Sequence, residues 1–283
     1  MFSSGGEPRF GAETAAGIVD LNVSDPAIPP SLHAYLYRAD ELRPKVEAAI
    51  AAGSTRAIPR TAVTMLPPIA KPEKILCIGL NYRDHAAEVK LELPKYVTVF
   101  PKYPNTLVGD GAAIVIPRES EKIDYEAELT FVIGKRGRHI PKERAYEYVA
   151  GYTIMNDVSV RDYQARTSQW AMGKAWDTHG PCGPVLVTTD EIPDPQALFI
   201  RCSIDGEMLQ DSHTSQLVFD VPTLVTDLSE VMTLEPGDLV PTGTPAGVGL
   251  SRQPRRWMRP GERVRVEIEK IGALENPVVS ATT

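Results

Sequence analysis

Short apolar runs of β character dominate the chain from residue 74 onward. The runs with β character are KILCIGL, AAIVIP, AELTFVIG, YTIMND, PVLVTT, LFIRCSID, GDLVPTG and RVRVEIE, and Gly, Pro and Asp turns separate them. Two stretches in this part, KERAYEYV and TLVTDLSEVMT, have helical spacing instead. The regular alternation of strand and helix that marks a doubly wound sheet is missing. We therefore predict an α+β fold that is predominantly β.

The first 70 residues follow a different pattern. A short apolar piece, GIVDLN, precedes a helical stretch from about Ser31 to Ala52, and the Pro-punctuated segment IPRTAVTMLPPIAKPEK follows. This pattern predicts a small N-terminal domain and linker at residues 1–70 and a larger, mostly β domain at residues 71–283.

The charge balance argues against nucleic acid as a partner. The chain has 37 acidic and 30 basic residues, a formal net charge of −7, so a phosphate backbone is repelled at long range. The one dense basic run is RQPRRWMR, Arg252 to Arg259, which we interpret as a loop or a small-anion patch.

Two further features favour a soluble protein of the cytoplasm. The N-terminal residues lack the charged start and apolar run of a signal peptide, and no apolar stretch approaches the roughly 18 residues of a membrane span. Cys77, Cys182 and Cys202 are far apart and form no CxxC pair, so we expect reduced thiols rather than disulfides or a zinc site.

Acidic residues alternate along the segment DYEAELTFVIGK, residues 124–135. In a strand, Asp124, Glu126 and Glu128 would share one face, opposite Tyr125 and its apolar neighbours. Such a face is covered either by water, as on many solvated strands, or by a cation. The context favours a cation because the next strand, GYTIMND, ends at another carboxylate, Asp157.

Together Glu126, Glu128 and Asp157 would offer three hard oxygen ligands without His or Cys. Such a set selects Mg²⁺, Mn²⁺ or Ca²⁺ over Zn²⁺ or Cu²⁺. The polar residues Arg161 and Gln164 follow Asp157, which indicates that the strand end opens onto a cleft.

A second candidate lies in GLNYRDHAAE, residues 79–88. His85 and Glu88 are three residues apart, which places them on one face of a helical turn. This is either an ordinary surface pair or a general base oriented by a carboxylate, which could activate water.

Two segments rich in Gly and Pro have polar residues that could contact a substrate. GKAWDTHGPCGP, residues 173–184, is not expected to form regular structure, and its Lys174 could stabilise a developing oxyanion beside Trp176. PTGTPAGVG, residues 241–249, lacks the ending of a P-loop, so we interpret it as a backbone loop in which Thr242 or Thr244 donates hydrogen bonds to a small acid.

Six segments together resemble the fumarylacetoacetate hydrolase (FAH) superfamily, especially its domain-containing members related to acylpyruvases and 2-hydroxyhepta-2,4-diene-1,7-dioate isomerases. They are GLNYRDHAAE, DYEAEL, NDVSVRDYQ, GKAWDTHGPCGP, DSHTSQL and LEPGDLVPTGTPAGVG, in the order of the family. The resemblance extends from about Pro68 to the C-terminus. It implies an FAH-type mixed β-sandwich or roll with a small N-terminal domain, and it implies a homodimer.

The resemblance also implies a role for each candidate residue. It implies a divalent cation on Glu126, Glu128 and Asp157, and catalytic roles for Lys174 and for His85 and Glu88 on a mobile short helix. It implies that the residues that bind the substrate are Arg161, Gln164 and Thr244. One departure is His179, which stands where the family commonly has Phe and adds a titratable group near the site.

The activity implied is metal-dependent cleavage of a carbon–carbon bond in a 2,4-diketo acid of the acylpyruvate type, with release of pyruvate. Oxaloacetate decarboxylation and isomerisation of a 2-hydroxydienoate are alternatives, because they use the same metal-stabilised enolate. An inactive metal-binding homologue is the alternative from another class. Lys174, His85 and Glu88 argue against it, since they are all present.

Overall fold

Short strands and three helices form the N-terminal region. The computed structural model describes residues 1–281. The elements of this region are β1 (Phe2–Ser3), β2 (Gly11–Thr14), β3 (Gly17–Asp20), α1 (Leu21–Ser24), α2 (Leu32–Leu36), α3 (Ala39–Gly53) and β4 (Thr64–Met65), with 3₁₀ turns at Ser54–Arg56 and Arg60–Ala62. The expected helical stretch is thus two helices, and Ser31 caps the first by accepting a hydrogen bond from the amide of Ala34 at 3.1 Å.

Strands predominate in the rest of the chain. The elements are β5 (Ile75–Gly79), α4 (Arg83–Glu88), β6 (Thr98–Lys102), β7 (Leu107–Val108), β8 (Ile114–Ile116), β9 (Ile123–Asp124), β10 (Ala127–Ile133), β11 (Val149–Asn156), β12 (Ser159–Val160), α5 (Arg161–Gln164), α6 (Ala171–Lys174), β13 (Gly180–Thr188), β14 (Phe199–Ile204), β15 (Glu207–His213), α7 (Val221–Val231), β16 (Leu239–Pro241), β17 (Arg263–Ile268) and β18 (Gly272–Ser280). Further 3₁₀ turns lie at Pro104–Thr106, Lys142–Tyr148, Thr214–Gln216 and Gly249–Ser251.

Two mixed sheets account for most of these strands. The larger has the order β6-β5-β16-β10-β11-β13-β7, and the smaller has the order β15-β14-β17-β18-β8. Most pairs are antiparallel, and the parallel pairs are β16 with β5, β13 with β7 and β18 with β8. The predicted α+β fold with predominant β structure is confirmed.

The two sheets pack face to face around β10 and β11. Strands β14 and β17 lie against β10, and β17 and β18 lie against β11. Every residue of β10 is buried. A strand that is buried on both sides cannot have a solvated acidic face, so its carboxylates need partners inside the protein.

The two helical stretches expected beyond residue 74 are present. Residues 142–148 form a 3₁₀ segment, and α7 occupies residues 221–231. Asp220 begins α7 by accepting a hydrogen bond from the amide of Thr223 at 2.8 Å, and Pro222 lies in the first turn, where a missing amide hydrogen costs nothing.

The N-terminal region packs on the larger sheet. Phe10, Val19 and Leu36 belong to one hydrophobic cluster with Ile75 and Phe100 of β5 and β6. The boundary at residue 70 stays a prediction.

The three cysteines are buried and free, as expected from the sequence. Among residues 1–281, none of the helices has both the length and the apolar character that a membrane span requires.

Candidate active site

Three carboxylates meet where β10 begins and β11 ends. Glu128 lies in β10, Glu126 directly precedes this strand, and Asp157 directly follows β11. Because the two strands are antiparallel, with Ala127 opposite Asn156, these positions lie at one edge of the sheet. One oxygen of each carboxylate lies within 4.8 Å of the others, and all three residues are buried.

The backbone beside these carboxylates is held by hydrogen bonds between the two strand ends. The amide of Glu126 donates to Oδ1 of Asn156 at 3.0 Å, and the amide of Asp157 donates to the carbonyl of Glu126 at 2.9 Å. These bonds fix the separation of the two carboxylates before any ligand binds.

Two buried lysines neutralise part of this charge. Lys174 Nζ donates to Oε2 of Glu126 at 2.7 Å and to Oδ2 of Asp157 at 2.6 Å. Lys102 Nζ donates to the other oxygen of Asp157 at 2.6 Å. Sequence reasoning missed Lys102, although a signal exists, because Lys102 shares the inward face of β6 with Phe100 and a lysine on a buried face needs a counter-charge.

Arg161 links the cluster to a fourth carboxylate. Its Nε donates to Oδ2 of Asp124 at 2.8 Å, and its Nη1 lies 2.7 Å from Oε1 of Glu126 and 2.9 Å from Oε1 of Gln164. Its Nη2 is buried and has no hydrogen-bond partner. One donor of this guanidinium is therefore available to a ligand.

Asp124 does not share the face of Glu126 and Glu128, contrary to the alternation in the sequence. The extended structure breaks between β9 and β10, so the alternation does not continue through Tyr125 and Glu126. Asp124 instead accepts hydrogen bonds from the amides of Gly249 at 2.7 Å and Leu250 at 2.9 Å, besides Arg161. It holds the loop after β16 in place.

The two glutamates have opposite pKa shifts. Burial acts to raise the pKa of Glu126, but Lys174 and Arg161 outweigh it and lower the pKa to about 2. Burial, with repulsion from Asp157 and Glu126, raises the pKa of Glu128 well above its usual range. Among the described residues 1–281, the amide of Gly243 is the one hydrogen-bond donor to Glu128, at 2.9 Å. Glu128 is thus the carboxylate most in need of a further positive charge.

These residues fit a divalent cation. The carboxylates outnumber the cations at this site: Asp124, Glu126, Glu128 and Asp157 face Lys102, Arg161 and Lys174. A cation between Glu126, Glu128 and Asp157 would remove the repulsion that raises the pKa of Glu128. An all-oxygen set suits Mg²⁺, Mn²⁺ or Ca²⁺.

The predicted general base His85 and its partner Glu88 lie on α4, close to these carboxylates. His85 Nδ1 is 3.2 Å from Oε2 of Glu88, and the other oxygen, Oε1, accepts a hydrogen bond from the amide of Gly247 at 3.0 Å. Burial acts to raise the pKa of Glu88, but the hydrogen bonds from His85 and Gly247 lower it. A positively charged His85 would lower the pKa of Glu126, so the two residues lie close together.

Helix α4 is anchored to its surroundings at its N-terminal end. The Asn81 side chain donates to the carbonyls of Thr242 at 2.9 Å and Phe219 at 3.1 Å. Asp84 accepts a hydrogen bond from the hydroxyl of Ser212. These contacts place His85 and Glu88 beside the loop after β16. The mobility expected of this helix stays a prediction.

The remaining predicted substrate-binding residues lie around the cluster. Gln164 bonds to Arg161, as described above. Thr244 Oγ1 accepts a hydrogen bond from Nε2 of Gln210 at 2.8 Å, and Oε1 of Gln210 accepts one from the amide of Ala127 at 3.0 Å. Gln210 was not identified from the sequence, because nothing in its own segment marks it as buried.

The segment 173–184 is more regular than expected, so this prediction was wrong in part. Lys174 ends α6, and β13 begins at Gly180. The Lys174 ammonium contacts Glu126 and Asp157, which outweigh its burial and raise its pKa. Lys174 is therefore a fixed positive charge at the carboxylates.

His179 has a structural contact that the sequence did not reveal. Its Nε2 lies 2.9 Å from the carbonyl of Val115, and Thr178 Oγ1 accepts from the amide of the same residue at 2.9 Å. Burial lowers the pKa of His179 to about 4. The ring is neutral at neutral pH and holds the free edge of β8.

The basic run 252–259 has internal partners for part of its charge. Arg252 donates to the carbonyls of Gly247 at 3.2 Å and Leu209 at 2.5 Å, and Arg256 donates to Glu262 at 2.9 Å. Its interpretation as a loop agrees with these contacts, whereas the small-anion patch stays a prediction.

The sequence model of the fumarylacetoacetate (FAA) hydrolase C-terminal family matches residues 74–279, which include every predicted site residue. The chain belongs to the fumarylacetoacetate hydrolase family. The superfamily resemblance of the six motifs is thereby confirmed.

Family members of similar length have names that refer to enzymes of keto acids. The chain is 43% identical over 276 residues to the mitochondrial oxaloacetate tautomerase Fahd2a of Rattus norvegicus, which covers 96% of this chain and 88% of the relative. Its identity to the mitochondrial oxaloacetate tautomerase fahd2 of Xenopus laevis is also 43%, over 96% of this chain and 86% of the relative.

Solved structures of the FAH family share the whole fold. A putative HpcE protein from Mycobacterium smegmatis superposes with a TM-score of 0.86 at 34% identity, over 98% of both chains. The maleylpyruvate hydrolase of Sphingobium sp. SYK-6 gives 0.82 at 30% identity, over 99% of this chain and 98% of that one. The FAH-type architecture is therefore confirmed.

The expected cytoplasmic location is contradicted by the names of the oxaloacetate tautomerases that are similar to this chain. The rat, frog and human tautomerases are all named as mitochondrial. The missing signal-peptide pattern was a poor guide to location because it concerns secretion alone.

Proposed function

We propose that this FAH-family protein is a divalent-metal-dependent oxaloacetate tautomerase, which moves one proton between C3 and the C2 oxygen of the substrate. The observation that carries the proposal is the His85–Glu88 pair, a base beside a buried carboxylate cluster. Oxaloacetate is selected among keto acids by the 43% identity to a named oxaloacetate tautomerase across 96% of the chain.

Glu126, Glu128 and Asp157 would hold the cation. When bound, a divalent cation supplies Lewis-acid stabilisation of a developing enolate oxygen. Lys174 adds a fixed positive charge at Glu126 and Asp157 and keeps its proton. Arg161 offers its free Nη2 to a carboxylate of the substrate.

His85 is the group that would move the proton. A carboxylate can only accept a hydrogen bond, so the contact with Glu88 Oε2 places the hydrogen of a neutral His85 ring on Nδ1 and leaves Nε2 bare. Nε2 takes the proton from C3 of the keto form and returns it to the C2 oxygen, which yields the enol. The reverse sequence yields the keto form, and neither direction consumes another reactant.

Hydrolysis of an acylpyruvate is the second candidate. The solved maleylpyruvate hydrolase, with a TM-score of 0.82 over 99% of this chain, favours it, because the same bare Nε2 could take a proton from water. Decarboxylation of oxaloacetate would use the same cation and lysine, and it needs no attacking water.

A direct test follows the ultraviolet absorbance of the enol of oxaloacetate as it converts to the keto form, with Mg²⁺ alone as the blank. Pyruvate release from acylpyruvates and from oxaloacetate is measured in parallel. We expect the rate of enol-to-keto conversion with the protein to exceed the rate with Mg²⁺ alone, and also to exceed the rate of pyruvate release. If the parent protein does not accelerate conversion, the proposal is wrong, and pyruvate release from acylpyruvates alone would establish the second candidate.

The His85→Asn variant tests the residue. It should lower kcat for conversion by about a hundredfold, since general base catalysis typically contributes ~10²–10⁴-fold. The matched control is His139→Asn. His139 is exposed on the loop that follows β10, and its left-handed φ of 52° suits Asn. Equal rates in both variants would contradict the role of His85.

A further inference from the structure

Gly247 connects the His85–Glu88 pair to Tyr125, which lies between the acidic residues Asp124 and Glu126. Its amide donates to Oε1 of Glu88 at 3.0 Å, and its carbonyl accepts from the hydroxyl of Tyr125 at 3.0 Å and from Nε of Arg252 at 3.2 Å. The two peptide units that flank one Cα atom therefore face Glu88 and Tyr125.

The conformation at Gly247 leaves no room for another residue. Its φ is +102°, and a Cβ atom here would lie 2.1 Å from the carbonyl oxygen of Leu209. Glycine is thus required to bring the amide against Glu88. Asp124 holds the next residues of this loop through the amides of Gly249 and Leu250, and the two donors on the carbonyl fix the peptide of Gly247 itself.

Tyr125 is the donor that reaches Gly247 from the segment between β9 and β10. It lies between Asp124 and Glu126 in the chain, is fully buried, and packs in the main hydrophobic core. Its ring is therefore fixed by packing, and its hydroxyl is held at one point in space. A hydroxyl on a fixed ring is a suitable anchor for a loop that has no regular structure.

We propose that Tyr125 is a positioning residue for His85. It fixes the Gly247 loop, Gly247 fixes Glu88, and Glu88 fixes the ring of His85 with Nε2 bare. Tyr125 itself touches neither the reacting atoms nor the base. The assignment of His85 as the base rests on the proposed function, whereas the hydrogen-bond chain from Tyr125 to His85 does not.

The test is Tyr125→Phe, which removes one oxygen atom and keeps the ring. In protein labelled with ¹⁵N-histidine, the two ring nitrogens of His85 report the tautomer and the hydrogen bond to Glu88, and the resonance is assigned with His85→Asn. We expect the His85 signals to shift in Tyr125→Phe, and kcat for enol–keto conversion to fall about fivefold, the equivalent of one net hydrogen bond. KM and the calorimetric Mg²⁺ affinity should stay unchanged.

Tyr152→Phe is the matched control, because Tyr152 is equally buried in β11 and has no hydrogen bond to Gly247. It should leave the His85 signals in place. A double variant with Glu88→Gln adds a second criterion: Tyr125→Phe should have little further effect once Glu88 no longer holds His85.

Unchanged His85 signals in Tyr125→Phe would overturn the proposal. A loss of Mg²⁺ affinity together with kcat would also overturn it, because Tyr125 would then act through Glu126. If Tyr125→Phe does not fold, Arg252→Met is the substitute test, since it removes the other donor to the Gly247 carbonyl. Unshifted His85 signals in Arg252→Met would again refute the series of hydrogen bonds from Gly247 to His85. The NMR result remains decisive even if the parent protein proves inactive on oxaloacetate, which separates this proposal from the proposed function.

Discussion

Lys102 and Asp157 form an ion pair with no solvent access, in which Nζ lies 2.6 Å from Oδ1. The same ammonium also donates to the carbonyl of Val158 at 3.2 Å. Loss of Lys102 would leave Oδ1 of Asp157 buried without its ammonium, and Lys174, at 2.6 Å from the other oxygen, would be the remaining cation on this carboxylate.

Lys102→Met should therefore destabilise the metal-free protein by about 2 kcal/mol, the usual scale for the loss of a hydrogen bond to a buried charged group that keeps a second partner. Urea unfolding in the presence of a chelator measures this loss. Lys95→Met is the control, since Lys95 is exposed and its substitution should change the free energy of unfolding by less than about 0.5 kcal/mol. Equal stability of the two variants would show that Lys102 is not needed as a counter-charge.

Glu128→Gln should weaken Mg²⁺ binding by at least about tenfold, because it removes the ligand that no lysine or arginine neutralises. Isothermal titration calorimetry with the chelator-treated protein gives the affinity directly. The control is Glu121→Gln, which makes the same change at an exposed position nearby. If Glu128→Gln binds Mg²⁺ as tightly as the parent chain does, the ligand set is incorrect.

His179 should make the protein less stable in mild acid. Its folded-state pKa of about 4 is lower than the ordinary value of 6.5 because of burial, so the unfolded chain binds more protons between these values and stability falls as pH falls through this window. Between about pH 7 and about pH 5, His179 alone should lower the free energy of unfolding by about 2 kcal/mol. Urea midpoints of the parent chain and His179→Phe at both pH values measure it. An identical pH dependence in the variant would contradict this account.

A homodimer is predicted from the family resemblance, and the apolar side chains of Tyr96, Val99 and Met172 are exposed near the edge strand β6. Covering such side chains by a second copy is a common arrangement. Light scattering should give about twice the chain mass of 31.0 kDa. A mass of one chain at micromolar concentration would refute the dimer.

The composition of the site could be predicted from the sequence, but its internal partners could not. Glu126, Glu128 and Asp157 converge because each lies at the end of a recognisable strand. Asp124 was misplaced, since the alternation rule assumes an unbroken strand and the chain leaves extended structure at Tyr125.

The charge partners depend on distant pairings that no local pattern records. Lys102 meets Asp157 from 55 positions away, and Gln210 meets Ala127 from 83 positions away. Lys102 enters the site because β6 lies beside β5 at one side of the large sheet. This strand order follows from tertiary packing rather than from residue periodicity.

The Gln210 side chain also makes the amide hydrogen of Ala127 a reporter on the whole molecule. Gln210 belongs to β15 of the smaller sheet, and Ala127 begins β10 of the larger one. The Ala127 amide can exchange with deuterium from solvent only after this bond between the sheets has opened, so its exchange rate measures how often this contact between the two layers breaks. A ligand that rigidifies the acidic edge would slow that exchange without touching Gln210 itself.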